Sequence, residues 1–286
     1  PQAHTLTTHG NTTYSPLGHK VQNSVIYVDG SSDYISMAPS GHADFTFGTG
    51  DFCFEGWFNR TVLSGISNYS YVMDFRYSGN DADRPAIYMD GSNNIYYDLN
   101  GIKITSSTDP SLGAWFNLAV ARNSGTTTMY LNGTSVGSFS DSVTYASGRP
   151  MLFTYPQGTG SYGFTGYGTE IRISKGVARY TGNYTPSTTA FASDSDTSLL
   201  IHSNKDFGVA NDDSLTGNNF VNSNVTKNVN TPTNLYCVQN PLTITNTYPP
   251  ALDNGNLKQI GNSGGSWASG VLATVPCDGG GKFYWE

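Results

Sequence analysis

Residues 167–180 read YGTEIRISKGVARY, and this run decides the predicted fold. Within it, Glu170 and Arg172 alternate with Ile171 and Ile173, so charged side chains fall on one face and apolar side chains on the other. A period of two residues is typical of a β-strand with one buried face. Because Glu170 and Arg172 are neighbours on the charged face, we expect them to pair. A glycine then ends the alternation, and a turn or short helix is predicted after the strand.

Short segments of the same kind recur upstream at intervals of roughly ten residues, separated by Gly, Asn and Asp. The predicted strands are 25–28, 34–37, 52–58, 71–76, 86–89, 95–99, 115–122 and 128–131. Asn132-Gly133 favours a type I′ hairpin turn after the last of them. Many short strands with turns between them indicate an all-β antiparallel sandwich. The predicted core comprises Ile26, Phe52, Phe54, Phe58, Leu118, Val120, Ile171 and Ile173.

The composition excludes several classes of protein. The 286 residues carry a net charge of -7, and Lys and Arg do not cluster, which argues against a nucleic-acid partner. No run reaches about 18 apolar residues, so no membrane insertion is expected. The first residue is Pro1 rather than Met, and we expect the chain to be a processed product or part of a longer one. Cys53 is expected to be a buried thiol.

Five segments together resemble a known family. They are 24–37, 45–52 (FTFGTGDF), 115–133, 167–180 and 198–202. They resemble the laminin-G-type, concanavalin A-like jelly-roll domains of the kind found in bacteriophage structural proteins. Two positions depart from the family pattern, because Thr169 stands where an Asp is usual and Asn117 stands where a His is common. The resemblance implies a concanavalin A-like jelly-roll sandwich over residues 23–204.

The remaining segments are predicted as extensions of the sandwich. Residues 1–22 form a polar N-terminal arm with too little apolar content to order alone, and we expect a neighbouring subunit to hold it. Residues 205–233 are predicted to be a polar linker. Residues 234–286 end in GKFYWE and resemble the start of a SPRY-like module, so a small partial β region is predicted there. Pairing of Cys237 with Cys277 is left open.

The resemblance implies a non-enzymatic structural or decoration protein of a virion, displayed on the capsid or tail of a phage. Its expected partners are other virion subunits, including copies of itself in a homo-oligomer, and its expected location is the extracellular virion surface. The alternative is a glycan-binding adhesin or a tail-fibre receptor-binding module whose partner is a cell-surface glycan. A third reading is an accessory domain of a secreted glycan-active enzyme.

Catalysis is not predicted. Glycoside hydrolysis generally uses two carboxylates about 5–9.5 Å apart. The chain has three glutamates, Glu55, Glu170 and Glu286, and their spacing does not place two of them on one strand. We expect Glu55 and Glu170 to be strand-surface residues paired with a base such as Arg172.

Four tyrosines are candidate ligand-binding residues. Tyr69, Tyr77, Tyr155 and Tyr162 fall in or beside predicted loops. Aromatic rings stack on the apolar faces of sugars, while nearby polar groups orient the hydroxyls. These tyrosines therefore mark the predicted glycan site, although packing within the sheets is the alternative role for any of them.

Two aspartates are candidate calcium ligands. Asp81 and Asp83 lie in the loop with the highest density of acidic and amide side chains, and calcium requires several oxygen ligands. Arg84 follows directly and would weaken a cation site. Solvated turn aspartates are the alternative. The sequence predicts no other cofactor.

Overall fold

The computed structural model describes residues 5–9, 13–15, 20–21, 25–31, 33–38, 41–62, 69–78, 81–155, 162–203, 251–253 and 258–260. The chain divides into two compact units, Pro1–Asn218 and Asn219–Glu286. In the second unit the described residues form one hairpin of two antiparallel strands. The predicted linker at 205–233 lies outside the described residues, as do the SPRY-like motif, Cys237 and Cys277. Those assignments and the predicted domain limits stay predictions.

The described elements are strands, with one 3-10 turn at Ala43–Phe45. The strands are β1 (Thr5–His9), β2 (Thr13–Ser15), β3 (Val25–Asp29), β4 (Tyr34–Ala38), β5 (Phe52–Arg60), β6 (Tyr69–Asp74), β7 (Ala86–Asp90), β8 (Ile95–Asp98), β9 (Ile102–Thr105), β10 (Trp115–Asn123), β11 (Thr126–Leu131), β12 (Thr134–Ser140), β13 (Met151–Leu152), β14 (Thr165–Lys175), β15 (Thr197–Ile201), β16 (Ala251–Asp253) and β17 (Lys258–Ile260). The part of the chain that is described contains no helix long and apolar enough to cross a membrane.

Two sheets form a sandwich in the first unit. The seven-stranded sheet has the order β1-β4-β13-β6-β7-β8-β9, and the eight-stranded sheet has the order β12-β11-β10-β5-β14-β3-β2, with β15 also paired to β14. Every strand pairing is antiparallel. The prediction of an all-β antiparallel jelly-roll sandwich is therefore confirmed.

The core lies between the two sheets, where the alternating apolar side chains of both point inward. All eight predicted core residues, from Ile26 to Ile173, are buried in one apolar cluster. Phe54 lies near its centre and packs against Phe52 and Phe75, with ring centroids 4.5 and 4.7 Å away. The predicted burial of the Cys53 thiol is also confirmed.

A β-bulge in β14 changes the predicted pairing of Glu170. The backbone of Glu170 has φ of 50°, and the register between β14 and β5 shifts between Thr169 and Arg172. An extra residue in one strand alters which side chains share a face. Glu170 therefore bonds His202 at 3.0 Å rather than Arg172, so the predicted Glu170–Arg172 pair is wrong.

The predicted N-terminal arm supplies a strand to each sheet of its own chain. Thr5–His9 pairs with β4 at the edge of the seven-stranded sheet, and Thr13–Ser15 pairs with β3 at the edge of the eight-stranded sheet. Backbone groups on a sheet edge need partners, and these two strands provide them. The described strands of the arm therefore pair with strands of the same chain, and the contribution of a neighbouring subunit to ordering the arm stays a prediction.

Candidate functional site

A row of tyrosines crosses the outer surface of the seven-stranded sheet. Tyr71 of β6, Tyr88 of β7 and Tyr96 of β8 have neighbouring ring centroids 5.0 and 5.2 Å apart. Adjacent strands lie about 4.8 Å apart, so these spacings are those of side chains directly across from one another. Tyr71 and Tyr88 are almost buried within the row, whereas Tyr96 is partly exposed.

Two loop tyrosines extend this row beyond β6. The backbone N–H of Tyr71 donates to the carbonyl of Tyr162 at 3.1 Å, which holds that loop segment beside the strand. The Tyr155 ring lies 5.3 Å from Tyr71 and 5.1 Å from Tyr162. Phe153, whose side chain is buried in the core, has φ of 70°. A bulky residue with positive φ is rare, and such backbone outliers cluster at functional sites.

Tyr69 completes the surface at the start of β6. Its ring meets that of Tyr88 edge-on at 5.5 Å, and 43% of the residue is exposed. We refer to the six residues together as the tyrosine face: Tyr69, Tyr71, Tyr88, Tyr96, Tyr155 and Tyr162. Three of the four tyrosines predicted from the sequence thus lie together. The other three members of the face, Tyr71, Tyr88 and Tyr96, lie on strands and were not among the candidates selected from the sequence. Alternation groups the residues of a strand by face, but it does not say which face a tyrosine takes.

An ion pair lies beneath the tyrosine face. A bulge after Tyr71 shifts the register of β6, and Asp74 and Arg76 come to lie on the outer side. The Nη2 atom of Arg76 lies 2.7 Å from Oδ2 of Asp74, and both side chains are buried. The guanidinium lies 5.5 Å from the Tyr71 ring and 5.6 Å from the Tyr155 ring. Arg76 therefore supports both rings from below through cation–π contacts.

Burial raises the pKa values of Asp74 and Tyr71 in this cluster. Desolvation raises the pKa of Asp74 to about 6, although its bonds to Arg76 oppose the rise. Desolvation also raises the pKa of Tyr71 to about 12, again opposed by Arg76.

Two carboxylates lie at the rim of the tyrosine face. The Tyr96 hydroxyl donates to Asp90 Oδ2 at 2.9 Å, and the Tyr88 hydroxyl donates to Asp98 Oδ2 at 3.5 Å. Asp90 also accepts the backbone N–H and side-chain amide of Asn94 and so holds the turn after β7. The face therefore combines ring surface with oriented polar groups, which suits a ligand with both apolar and hydroxyl surfaces.

Tyr77 lies apart from the tyrosine face. Its neighbours are cations, with the guanidinium carbons of Arg84 and Arg149 4.7 and 6.0 Å from its ring centroid. The ring contacts of the other three predicted tyrosines do not include it. The predicted grouping of Tyr77 with them is not reproduced.

The two candidate calcium ligands contact the same arginine. Arg84 Nη1 lies 2.7 Å from Asp83 Oδ1 and 3.7 Å from Asp81 Oδ2. Asp81 also accepts backbone N–H groups from Tyr77 and Ser78, and these bonds lower its pKa although burial opposes them. Among the described residues, no three His, Cys, Asp or Glu side chains gather as a metal site. A calcium ion here would have to displace the guanidinium, and its binding stays a prediction.

The outer surface of the eight-stranded sheet is covered by the chain itself. Residues 176–196, which we call the strap, cross it between β14 and β15. Tyr180 donates to Glu55 Oε2 at 2.6 Å, and Tyr184 donates to Asn117 Oδ1 at 2.6 Å. Residues 176–180, the part of the 167–180 motif that follows β14, thus pack against the sheet to which β14 belongs.

Both described glutamates are structural and buried. Glu55 binds Arg172 at 2.7 Å, as predicted, and Glu170 accepts the backbone N–H of Phe191 at 2.7 Å as well as contacting His202. Their exposed fractions are 2% and 0%, so the prediction that they lie on the strand surface is wrong. Glu286 lies outside the described residues.

Comparison with known proteins places this geometry in a family. The model of the concanavalin A-like lectin/glucanases superfamily, in its laminin-G form, matches residues 29–181. No curated protein sequence matches the chain significantly.

Three solved structures are similar to parts of this chain. A proposed carbohydrate-binding protein from Bacteroides ovatus is 12% identical, with a TM-score of 0.43, and the match covers 71% of this chain and 52% of that one. This chain thus spans about half the length of that protein. Domain 4 of the extracellular arabinanase AbnA from Geobacillus stearothermophilus is 18% identical over 61% of this chain and 83% of that one, with a TM-score of 0.44. The carbohydrate-binding module CBM66 from Bacillus subtilis is 15% identical over 59% of this chain and 94% of that one, with a TM-score of 0.36.

The family model covers more than half of the residues, and its range includes β4 to β14 and all six residues of the tyrosine face. The chain therefore belongs to the concanavalin A-like lectin/glucanase superfamily.

Proposed function

We propose that this protein binds a glycan on the tyrosine face and does not cleave it. The observation that carries the proposal is the row of rings across β6, β7 and β8, with exposed Tyr69 and partly exposed Tyr96 flanking buried rings. Aromatic rings cover the C–H faces of a pyranose, and hydroxyl or carboxylate groups at their edges accept its hydrogen bonds.

The face is held in place before any ligand arrives. Tyr71 and Tyr88 are buried in the row, Arg76 supports Tyr71 and Tyr155 from below, and a backbone hydrogen bond ties Tyr162 to β6. A preformed surface loses little side-chain entropy on binding, which favours affinity. Rigid strands also position side chains more accurately than loops do.

The burial of the described glutamates supports binding without hydrolysis. A general acid or nucleophile must reach the scissile bond. Glu55 is instead covered by the strap, where Arg172 and Tyr180 bond its two carboxylate oxygens, and Glu170 is fully buried beside His202. Both carboxylates are committed to contacts that stabilise the fold.

An array of neutral and acidic oligosaccharides, followed by isothermal titration calorimetry with the best binder, tests the proposal. Tyr69→Ala and Tyr96→Ala should each weaken binding at least about fivefold, which corresponds to about 1 kcal/mol per lost ring contact. Tyr77→Ala is the matched control, because Tyr77 is similarly exposed at 38% but lies apart from the face. Absence of binding, or equal losses in all three variants, would overturn the proposal.

We further propose that the glycan-binding face is displayed on a virion, as the sequence resemblance implies. The support is the motif at 167–180 and its similarity to domains of phage structural proteins. Gold-labelled antibody against the sandwich should decorate purified particles in electron micrographs, and unlabelled particles would contradict this location. Analytical ultracentrifugation tests the homo-oligomer that belongs to the same prediction.

A further inference from the structure

We propose that the glycan recognised by the tyrosine face is uncharged, and that the carboxylates around the face select against sugars bearing carboxylate or sulfate groups. This inference rests on the proposed function and names the ligand class of the same site. It follows from two properties of the face, its charge and the direction of its hydrogen bonds.

Arg76, which contacts the Tyr71 and Tyr155 rings, is already neutralised. Arg76 contacts Asp74 through Nη2–Oδ2 at 2.7 Å and through Nε–Oδ1 at 3.0 Å. In this bidentate pair, the carboxylate accepts two hydrogen bonds from the guanidinium and balances its positive charge. Arg76 therefore supports the rings without offering a net positive charge to an anionic sugar.

The rim of the face is acidic. Asp90 and Asp98 accept hydrogen bonds from Tyr96 and Tyr88, and Asp109 is close enough to contribute electrostatically to a raised pKa of Tyr96. Two described cations lie near these carboxylates. Lys103 on the neighbouring strand β9 is exposed, and the buried Arg60 donates from Nη1 to the Asp90 carbonyl at 2.6 Å. Two positive charges do not offset three carboxylates. An anionic group placed on the rings would meet net negative charge.

The directions of the hydrogen bonds at the face also favour an uncharged sugar. The Tyr88 and Tyr96 hydroxyls use their protons on carboxylates, so their oxygens are left as acceptors. Ionised carboxylates are acceptors only. A surface rich in acceptors fits the hydroxyl groups of a neutral sugar, which can donate. Carboxylate and sulfate oxygens can only accept, so they find no donor in the Tyr88 and Tyr96 hydroxyls or in the rim carboxylates and lose hydrogen bonds to water there.

The test uses matched pairs of ligands. A panel of uronic-acid oligosaccharides is compared with their carboxyl-reduced forms, which keep the ring and linkage but replace each carboxylate by a hydroxymethyl group. Titration calorimetry should show at least about tenfold weaker binding of the acidic member at about 0.01 M salt. The difference in affinity between the acidic and the reduced oligosaccharides should become smaller at about 1 M salt, because the Debye length falls from about 30 to about 3 Å.

Two variants assign the effect to the face. Asp98→Asn preserves the shape of the rim and removes one negative charge. It should therefore reduce the difference in affinity between an acidic oligosaccharide and its carboxyl-reduced form. Tyr69→Ala should weaken both members alike, because it removes ring surface and no charge.

The outcomes separate this inference from the proposed function. If an acidic member binds as tightly as its reduced form or more tightly, and Tyr69→Ala weakens both, the face binds glycans but the inference of an uncharged ligand is overturned. If neither the reduced nor the acidic members bind, and neutral oligosaccharides also fail, the proposed function is overturned together with the inference.

Discussion

Arg172 of β14 binds Glu55 of β5, with Nη2 2.7 Å from Oε1 and Nε 2.8 Å from the same oxygen. The bulge at Glu170 makes this contact, because it moves Arg172 directly opposite Glu55 in the register of the two strands. The pair lies under the strap, where Tyr180 bonds the second carboxylate oxygen of Glu55. The ion pair thus joins two central strands of the eight-stranded sheet to the segment that covers them.

Glu55→Gln should destabilise the sandwich by about 3–5 kcal/mol, because it leaves the Arg172 guanidinium nearly buried without its counter-charge. Urea unfolding followed by circular dichroism measures the change. Asp194→Asn is the control, since its partner Arg179 lies 2.7 Å away in an exposed pair that should contribute at most about 1 kcal/mol. Equal effects of the two substitutions would contradict the structural role of Glu55.

Phe54→Ala should cost about 3–5 kcal/mol, because it opens a cavity among closely packed rings in the core. A domain with about 5–15 kcal/mol of stability would then melt at a clearly lower temperature in calorimetry. Leu112→Ala, at a position 44% exposed, should change stability by no more than about 0.5 kcal/mol. An unchanged melting point for Phe54→Ala would contradict the assignment of β5 as a central core strand.

The contribution of Asp74 to stability should fall as pH rises. Burial raises the pKa of Asp74 from 3.8 to about 6, so between these values the folded protein holds a proton that the unfolded chain releases. The contribution is therefore fully present below the unfolded pKa and is lost as pH rises through the folded pKa. Its size is on the order of 1–3 kcal/mol. Unfolding free energies from about pH 3.5 to 7 should show a smaller decline in Asp74→Asn than in the original protein, and parallel pH profiles would refute the assignment.

Deletion of residues 1–22 should lower the stability of the isolated sandwich. It removes β1 and β2 and exposes the backbone edges of β4 and β3. We expect a loss of at least about 1 kcal/mol, since each net hydrogen bond contributes about that amount. The melting temperature should fall by roughly 2–4 °C for each kcal/mol lost in a domain of this size. An unchanged melt would show that the arm docks elsewhere.

No reducing ends should be released when the purified protein is incubated with the glycans used to test the proposed binding. The described glutamates lie buried in ion pairs and hydrogen bonds, where a glycosidic oxygen cannot reach them. A reducing-sugar assay with long incubation measures this. Turnover that Glu55→Gln or Glu170→Gln abolishes would prove the proposal of binding without cleavage wrong.

Part of the tyrosine face could be predicted from the sequence before the fold was known. Tyr69, Tyr155 and Tyr162 were selected because they lie in or beside loops, and they do meet on one surface. Tyr88 and Tyr96 were not selected, because a tyrosine in a strand can face the core or water. Tyr97 shows the difficulty, since it directly follows Tyr96 and is fully buried in the core.

The sequence by itself determined that the protein is an antiparallel β-sandwich, and it identified the core residues. A period of two residues with an apolar face is typical of a strand whose apolar face must be covered, and in a chain of many short strands without helix patterns a second sheet provides the cover. This pattern is local, so each strand could be recognised from its own residues.

The tertiary structure alone decided which side chains meet. The bulges in β6 and β14 place Asp74, Arg76, Glu170 and Arg172 on faces that strict alternation does not predict. The order of strands in each sheet then brings residues distant in the sequence together, as when His202 meets Glu170 and Tyr162 meets Tyr71. Bulges and strand order depend on the packing of the whole domain, since each local backbone strain is offset by contacts that distant segments supply.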